Sequence, residues 1–178
     1  MHHHENIVLI GMPGAGKSTV GVVLAKALGM QFVDTDILIQ ERAGRMLQEI
    51  LDKDGPDVFK RIEEEAILSL QPRHAVIATG GSVVYSEDAM THLRSAGVVV
   101  YLEISYDAMV QRLKNITTRG ILLLPGQNLR KMYDERISLY ETYADITVAC
   151  SGEDFESVVQ RVVEALCGGS EMHRGTPG

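Results

Sequence analysis

Residues 11–18 read GMPGAGKS, which fits the pattern G-x-x-x-x-G-K-[ST] in full. Clustered glycines let successive backbone N–H groups turn toward one point, and a helix opening just after them adds its positive N-terminal end. An anion suits such a bend, and the lysine and hydroxyl extend it toward a polyphosphate. On this reading Gly11, Gly14, Ala15, Gly16 and Thr19 belong to the cradle around the phosphates, Lys17 reaches the β- and γ-phosphates, and Ser18 ligates Mg²⁺. The expected occupant is ATP or GTP. No N/T-K-x-D stretch that would read guanine is present, and roughly 160 residues follow the loop, too few for large motor insertions. A compact kinase using ATP is favoured.

Two acids close the next apolar run, FVDTD (32–36). A spacing of two puts Asp34 and Asp36 on one face if a strand continues through them. Facing a phosphate cradle, they would divide a kinase's work. Asp34 would hold Mg²⁺ through water beside Ser18, and Asp36 would orient an acceptor hydroxyl or take its proton. A compatible alternative makes Asp36 the N-cap of a helix beginning near Ile37.

These residues need a scaffold that gathers strand ends. NIVLI (6–10), FVDTD (32–36), AVIAT (75–79), GVVVYLEI (97–104) and DITVAC (145–150) read as strands. Between them, 19–29, 56–71, 87–95, 106–114, 128–144 and 153–167 read as helices. The alternation predicts an α/β fold, a parallel sheet covered by helices on both faces. Ligands of such sheets lie outside the carboxyl ends of the strands. Segments 11–18, 34–36, 79–82 and 115–121 all end or follow strands, so one crevice is expected to collect them.

Bulk properties narrow the class. A chain of 178 residues with 45% hydrophobic content suits a single domain, 1–178, with a core at about 6–167 and a mobile tail at about 168–178. The net charge of −7 argues against a nucleic-acid partner. No apolar run approaches the ~18 residues of a membrane span, and no signal-peptide pattern opens the chain, so no membrane partner and a cytoplasmic location are expected. Cys150 and Cys167 lack metal-ligand spacing and read as reduced thiols; His2 to His4 read as a tag remnant or a solvated start. A monomer is the working expectation.

Taken in order, GMPGAGKST (11–19), DTD (34–36), FKRIEEE (59–65), TGGS (79–82), TTRGILL (117–123) and DERISLYETYAD (134–145) resemble the shikimate kinases, small P-loop kinases of the nucleoside monophosphate kinase superfamily. The resemblance covers about residues 6–167. It implies a three-layer P-loop NTPase fold with a five-stranded parallel sheet in order 2-3-1-4-5, and a lid at about 114–125. The implied reaction moves the γ-phosphoryl group of MgATP to the 3-hydroxyl of shikimate, giving shikimate 3-phosphate and ADP. By the same resemblance Asp36 meets the acceptor hydroxyls, Asp34 lies near Mg²⁺, and Arg119 is the lid arginine. Arg136 would grip the acceptor's carboxylate, and Arg112 would lie near the adenine. Lys60, Gly80 and Gly81 take acceptor-side positions.

The residues agree with most of this. Arg119 lies in the polar stretch NITTRG, where a lid arginine could stabilise the transferring phosphoryl; the plain reading is a solvated arginine. Arg136 falls between Met132, Tyr133, Leu139 and Tyr140, where a guanidinium could bind a carboxylate bidentately, or pair with Glu135 at the surface.

Three positions depart from the family pattern. Lys60 stands where the family carries a carboxylate-binding arginine, which keeps the charge but loses the fork, and Glu63 is placed to orient it from three residues on. Ser82 replaces the third glycine of a glycine run, either crowding the turn or adding a hydroxyl donor. Gly120 replaces a proline after the lid arginine and is expected to loosen the lid. Shikimate, as a small hydroxylated acid, is the leading acceptor. A related sugar acid or polyol is the alternative, and a non-catalytic nucleotide-binding module is a third reading.

Overall fold

The computed structural model describes residues 6–114, 120–150, 152 and 154–168. Arg119, most of the first half of the expected lid, His2 to His4 and residues 169–178 lie outside the described residues.

Five strands form one parallel sheet in the order β2-β3-β1-β4-β5. They are β1 (Asn6–Ile10), β2 (Gln31–Asp34), β3 (Ala75–Ala78), β4 (Val98–Glu103) and β5 (Ile146–Ala149). The central strand β1 is NIVLI, buried along its whole length. An unbroken apolar run is what a strand covered on both faces requires. Asn6 is buried at its start, where its side chain donates to Pro72 O and Ala96 O and accepts from Ala75 N, tying three chain segments at the end away from the site.

The helices are α1 (Lys17–Leu28), α2 (Thr35–Ala43), α3 (Leu47–Leu68), α4 (Glu87–Ala96), α5 (Tyr106–Lys114), α6 (Leu129–Tyr143) and α7 (Phe155–Gly168). α1 packs with α7 and against β1, β2 and β3, while α4 and α6 pack against β4. From β1 the chain crosses by α1 to the edge strand β2; from β3, the neighbour of β1, it crosses by α4 to β4 on the other side. The carboxyl ends of β1 and β3 therefore flank the point where the connections diverge, the usual ligand position in such sheets.

Two sequence expectations change. The strand at 32–36 stops at Asp34, and Thr35 opens a helix. Asp34 is the N-cap of α2: its side chain accepts from Asp36 N at 3.0 Å and Ile37 N at 3.4 Å. Satisfying those orphan helix donors outweighs continuing an edge strand. Asp34 and Asp36 thus share a helix start, not a strand face, and the cap is Asp34, not Asp36.

The helix expected from 56 also has an earlier limb starting at Leu47, joined through Gly55 at φ +82° and followed by Pro56. Proline starts a helical turn well but forbids a helical residue before it, so the two limbs meet at a kink.

A second, smaller apolar cluster lies under α2 and α3. It joins Ile39, Leu47, Ile50, Phe59 and Ala66 to Leu122, which arrives from the segment after residue 119. This cluster builds the outer wall of the site.

Candidate active site

A crevice opens at the carboxyl ends of β1 and β3. It is lined by Pro13, Lys17 and Ser18 from the loop after β1 and the start of α1, by Thr79 to Ser82 after β3, and by Phe59, Leu122 and Arg136. Asp36 and Glu63 also line it.

The cradle is fully formed. Gly16 is the N-cap of α1 in the left-handed region, φ +88°, and a Cβ there would meet the Phe155 ring at 2.6 Å. Only glycine serves at such a position. Lys17 is 6% exposed and its Nζ donates to Gly11 O at 2.7 Å and Met12 O at 2.8 Å. The ammonium thus stays inside the loop curve, held by neutral carbonyls that anionic phosphate oxygens can displace. Thr19 is exposed in the first turn of α1. Arg112, from α5, donates to Gly14 O at 2.9 Å and Cys150 O at 3.4 Å, bracing the loop against the end of β5. Phe155, 43% exposed at the start of α7, was not singled out by sequence. Its ring beside Gly16 offers an aromatic face at the cradle's outer edge.

Ser18 Oγ donates to Asp34 Oδ2 at 2.7 Å. A hydroxyl and a carboxylate side by side at a phosphate cradle suit Mg²⁺, which takes few protein oxygens and keeps waters and phosphate oxygens as its other ligands. The donor set fits the ion.

The acceptor end is built around Arg136. The residue is 1% exposed, yet it forms no ion pair with a carboxylate among the described residues. Glu135, its expected surface partner, instead accepts from Gln127. Arg136 Nη2 donates to Leu122 O at 2.6 Å, and the guanidinium lies 5.1 Å from the Tyr85 ring centroid. A Cβ on Gly81 would stand 3.1 Å from Nη1, so that glycine keeps the guanidinium open toward the crevice. Tyr140 donates its hydroxyl to Gly81 O, and burial pushes its pKa up to about 12, so it stays a donor. A buried cation with no carboxylate in direct contact is costly; a ligand anion would relieve it.

The departures have structural consequences. Lys60 does not line this crevice: its ammonium pairs with Asp57 at 3.1 Å, and the residue lines a neighbouring cleft with Arg61 and Tyr85. Glu63 does not orient it. Instead Ser82 Oγ donates to Glu63 Oε2 at 2.7 Å, so Ser82 is a hydroxyl donor at the turn. Gly120 permits close packing: a Cβ would come within 3.1 Å of Leu47 and Gln48. Its missing side chain seats the segment on α3, contrary to the expected slack.

Glu63 is the titrating group of the site. Burial pushes its pKa up to about 7, with Asp36 adding repulsion and Ser82, Arg136 and Lys17 opposing. A folded pKa above the unfolded one means that Glu63 favours the fold most below about pH 4.5, and that this contribution is lost as pH rises through about 7.

The shikimate kinase family model matches residues 13–167. A curated relative, shikimate kinase from Thermodesulfovibrio yellowstonii, is 38% identical over 163 residues, 90% of this chain and 94% of its own length. Shikimate kinase from Actinobacillus pleuropneumoniae is 37% identical over 169 residues, 93% and 98% of the two chains. The solved structure of shikimate kinase from Acinetobacter baumannii in complex with shikimate matches with a TM-score of 0.85 at 30% identity, covering 94% of this chain and 95% of that one. With the strand order, the cradle and the likeness all in accord, the chain belongs to the shikimate kinase family, phosphotransferases acting on a hydroxyl acceptor.

Proposed function

We propose that the chain transfers the γ-phosphoryl group of MgATP to the 3-hydroxyl of shikimate. The observation that carries this is the buried guanidinium of Arg136, without an ion pair among the described residues, lining the same crevice as Lys17. An acid-bearing acceptor neutralises the first while its hydroxyl is presented to phosphates held by the second.

The mechanism follows from these placements. Lys17 exchanges its carbonyl contacts for β- and γ-phosphate oxygens and stabilises charge as the phosphoryl group moves. Ser18 and, through water, Asp34 would hold Mg²⁺, which when bound neutralises phosphate charge. Arg112 and Phe155 flank the cradle, and the Phe155 ring supplies a stacking face for a base. Asp36 aligns the acceptor hydroxyl and takes its proton, with the Gly80–Gly81 backbone alongside. Arg136 fixes the carboxylate. Arg119, next in sequence to the crevice-lining Gly120, is proposed as the lid cation that completes the charge around the transferring group. Most of the rate enhancement then comes from positioning and fixed charge.

Shikimate use implies work in the cytoplasm, in the route to aromatic amino acids. A second reading, a different hydroxylated acid, draws on Lys60 lying outside the crevice, which leaves Arg136 as the cation for the acid group.

The test is ADP release with MgATP and either shikimate, a panel of sugar acids and polyols, or no acceptor. Saturable turnover with shikimate is expected; turnover only with another acid would favour the second reading. Arg136→Ala is expected to raise the shikimate KM by about 100-fold, the scale of a lost charged hydrogen-bond pair, and to change the ATP KM by less than about twofold. Equal effects on both constants would remove Arg136 from the acceptor site.

A further inference from the structure

Tyr85 closes a single 3₁₀ turn, Val83–Tyr85, that follows the glycine turn after β3. Val83 and Val84 are buried, Val83 N donates to Gly80 O, and Tyr85 N donates to Ser82 O. The turn is pinned through its valines and packs against α6, and the Tyr85 side chain is half-buried at its end.

That side chain meets Arg136. The guanidinium carbon lies 5.1 Å from the ring centroid, and Arg136 Nε donates to the Tyr85 hydroxyl oxygen at 3.4 Å. Gln127 Nε2 donates to the same oxygen at 3.5 Å, so the hydroxyl accepts here. At its opposite edge Arg136 Nη2 donates to Leu122 O. Asp36 and Glu63 line the same crevice, and neither forms an ion pair with Arg136 among the described residues. An aromatic face attracts a cation through its quadrupole and carries no charge of its own. It steadies a buried guanidinium without neutralising it. A carboxylate in the same place would neutralise the cation and occupy its donor fork.

We propose that Tyr85 is a positioning residue of the acceptor site, holding Arg136 charged and oriented so that the arginine selects a carboxylate-bearing acceptor over its uncharged counterpart. The ring face does most of this, because a hydroxyl contact of 3.4 Å is a long hydrogen bond. Tyr85 also packs on the smaller apolar cluster, so the competing account gives it a purely structural role. The inference rests on the acceptor-kinase reading above and deepens it.

The experiment is calorimetric binding of shikimate and of its methyl ester, with ADP present. The ester keeps the ring hydroxyls and removes the charge. The wild-type chain is compared with Tyr85→Phe and Tyr85→Leu, and thermal melts confirm folding; Tyr85→Met repeats the test should Tyr85→Leu not fold. The wild type is expected to prefer shikimate over the ester by roughly 10- to 100-fold, the scale of a hydrogen bond to a charged group. Tyr85→Leu should weaken shikimate by roughly 10- to 30-fold, the scale of a desolvated cation–π contact, and the ester by less than about threefold. Tyr85→Phe keeps the face and should lose less than about threefold toward either ligand. In turnover, Tyr85→Leu should raise the shikimate KM and leave the ATP KM within about twofold. Equal wild-type affinities for acid and ester, or a Tyr85→Leu chain that keeps the wild-type preference, would overturn the proposal. So would a Tyr85→Leu chain that weakens both ligands alike, the mark of a purely structural role, or a Tyr85→Phe chain as impaired as Tyr85→Leu. Absent wild-type turnover with the expected binding pattern would overturn the activity reading alone. Turnover without that pattern would overturn this inference alone, and no wild-type binding of either ligand would overturn both.

Discussion

Lys17→Ala is expected to lower kcat at least about 1,000-fold while the chain still folds. Lys17 is the one lysine inside the cradle, and the other cations described around it are engaged elsewhere: Lys60 with Asp57, Arg112 with the carbonyls of Gly14 and Cys150, and Arg136 with Leu122 O. Removing a single fixed donor from a developing negative charge costs about 100- to 1,000-fold in known cases, and a charged donor at the transferring phosphoryl exceeds that. The fold should survive because the loop's curve rests on backbone, with Ala15 N donating to Met12 O and Val20 N to Gly16 O. Two carbonyls lose their donor, a destabilisation of about 1–3 kcal/mol. Steady-state ADP release and a thermal melt check both halves. Turnover within about tenfold of wild type would show that Lys17 does not carry the phosphate charge.

Asp36→Asn is expected to lower kcat by about 100- to 10,000-fold, the range for loss of a positioned general base, with little change in nucleotide affinity. The substitution tests chemistry and not folding, because the cap of α2 is Asp34. Asparagine keeps the size and hydrogen-bonding reach of the side chain and removes its basicity. A second consequence is electrostatic. Asp36 raises the pKa of Glu63 by repulsion, so Asp36→Asn should lower that pKa from about 7. A kcat within about fivefold of wild type would remove Asp36 from the proton transfer.

Which features the sequence revealed depended on the range of the interaction. The cradle is local: eight consecutive residues carry its curve, its charge and its metal-facing hydroxyl. β1 was legible because burial on both faces leaves an uninterrupted apolar run. α2 was read only as an alternative, a helix beginning near Ile37 with Asp36 as its cap, since one short turn of acids serves equally as a strand end or a helix cap; the contacts of Asp34 with Asp36 N and Ile37 N decide it. The first limb of α3 was hidden by Gly55–Pro56, which reads as a stop although the helix resumes beyond it.

In the acceptor site the residue types were visible and their partners were not. Position 60 was read as an acceptor-binding cation, yet a helical spacing of three brings Asp57 within its reach. The Ser82–Glu63 bond joins residues 19 apart across two elements, beyond any local pattern. Arg136 was identified, but its burial without a carboxylate partner, the feature that argues for an anionic acceptor, needs the folded chain to be seen.

The central claim is that one crevice moves a phosphoryl group from ATP to shikimate. Phosphorus and proton NMR of the completed reaction with MgATP and shikimate tests it most directly. The account predicts one new phosphomonoester for each ADP formed, coupled to the proton on carbon 3 of shikimate. ADP accompanied only by inorganic phosphate, or a phosphoryl group on a different hydroxyl, would contradict it.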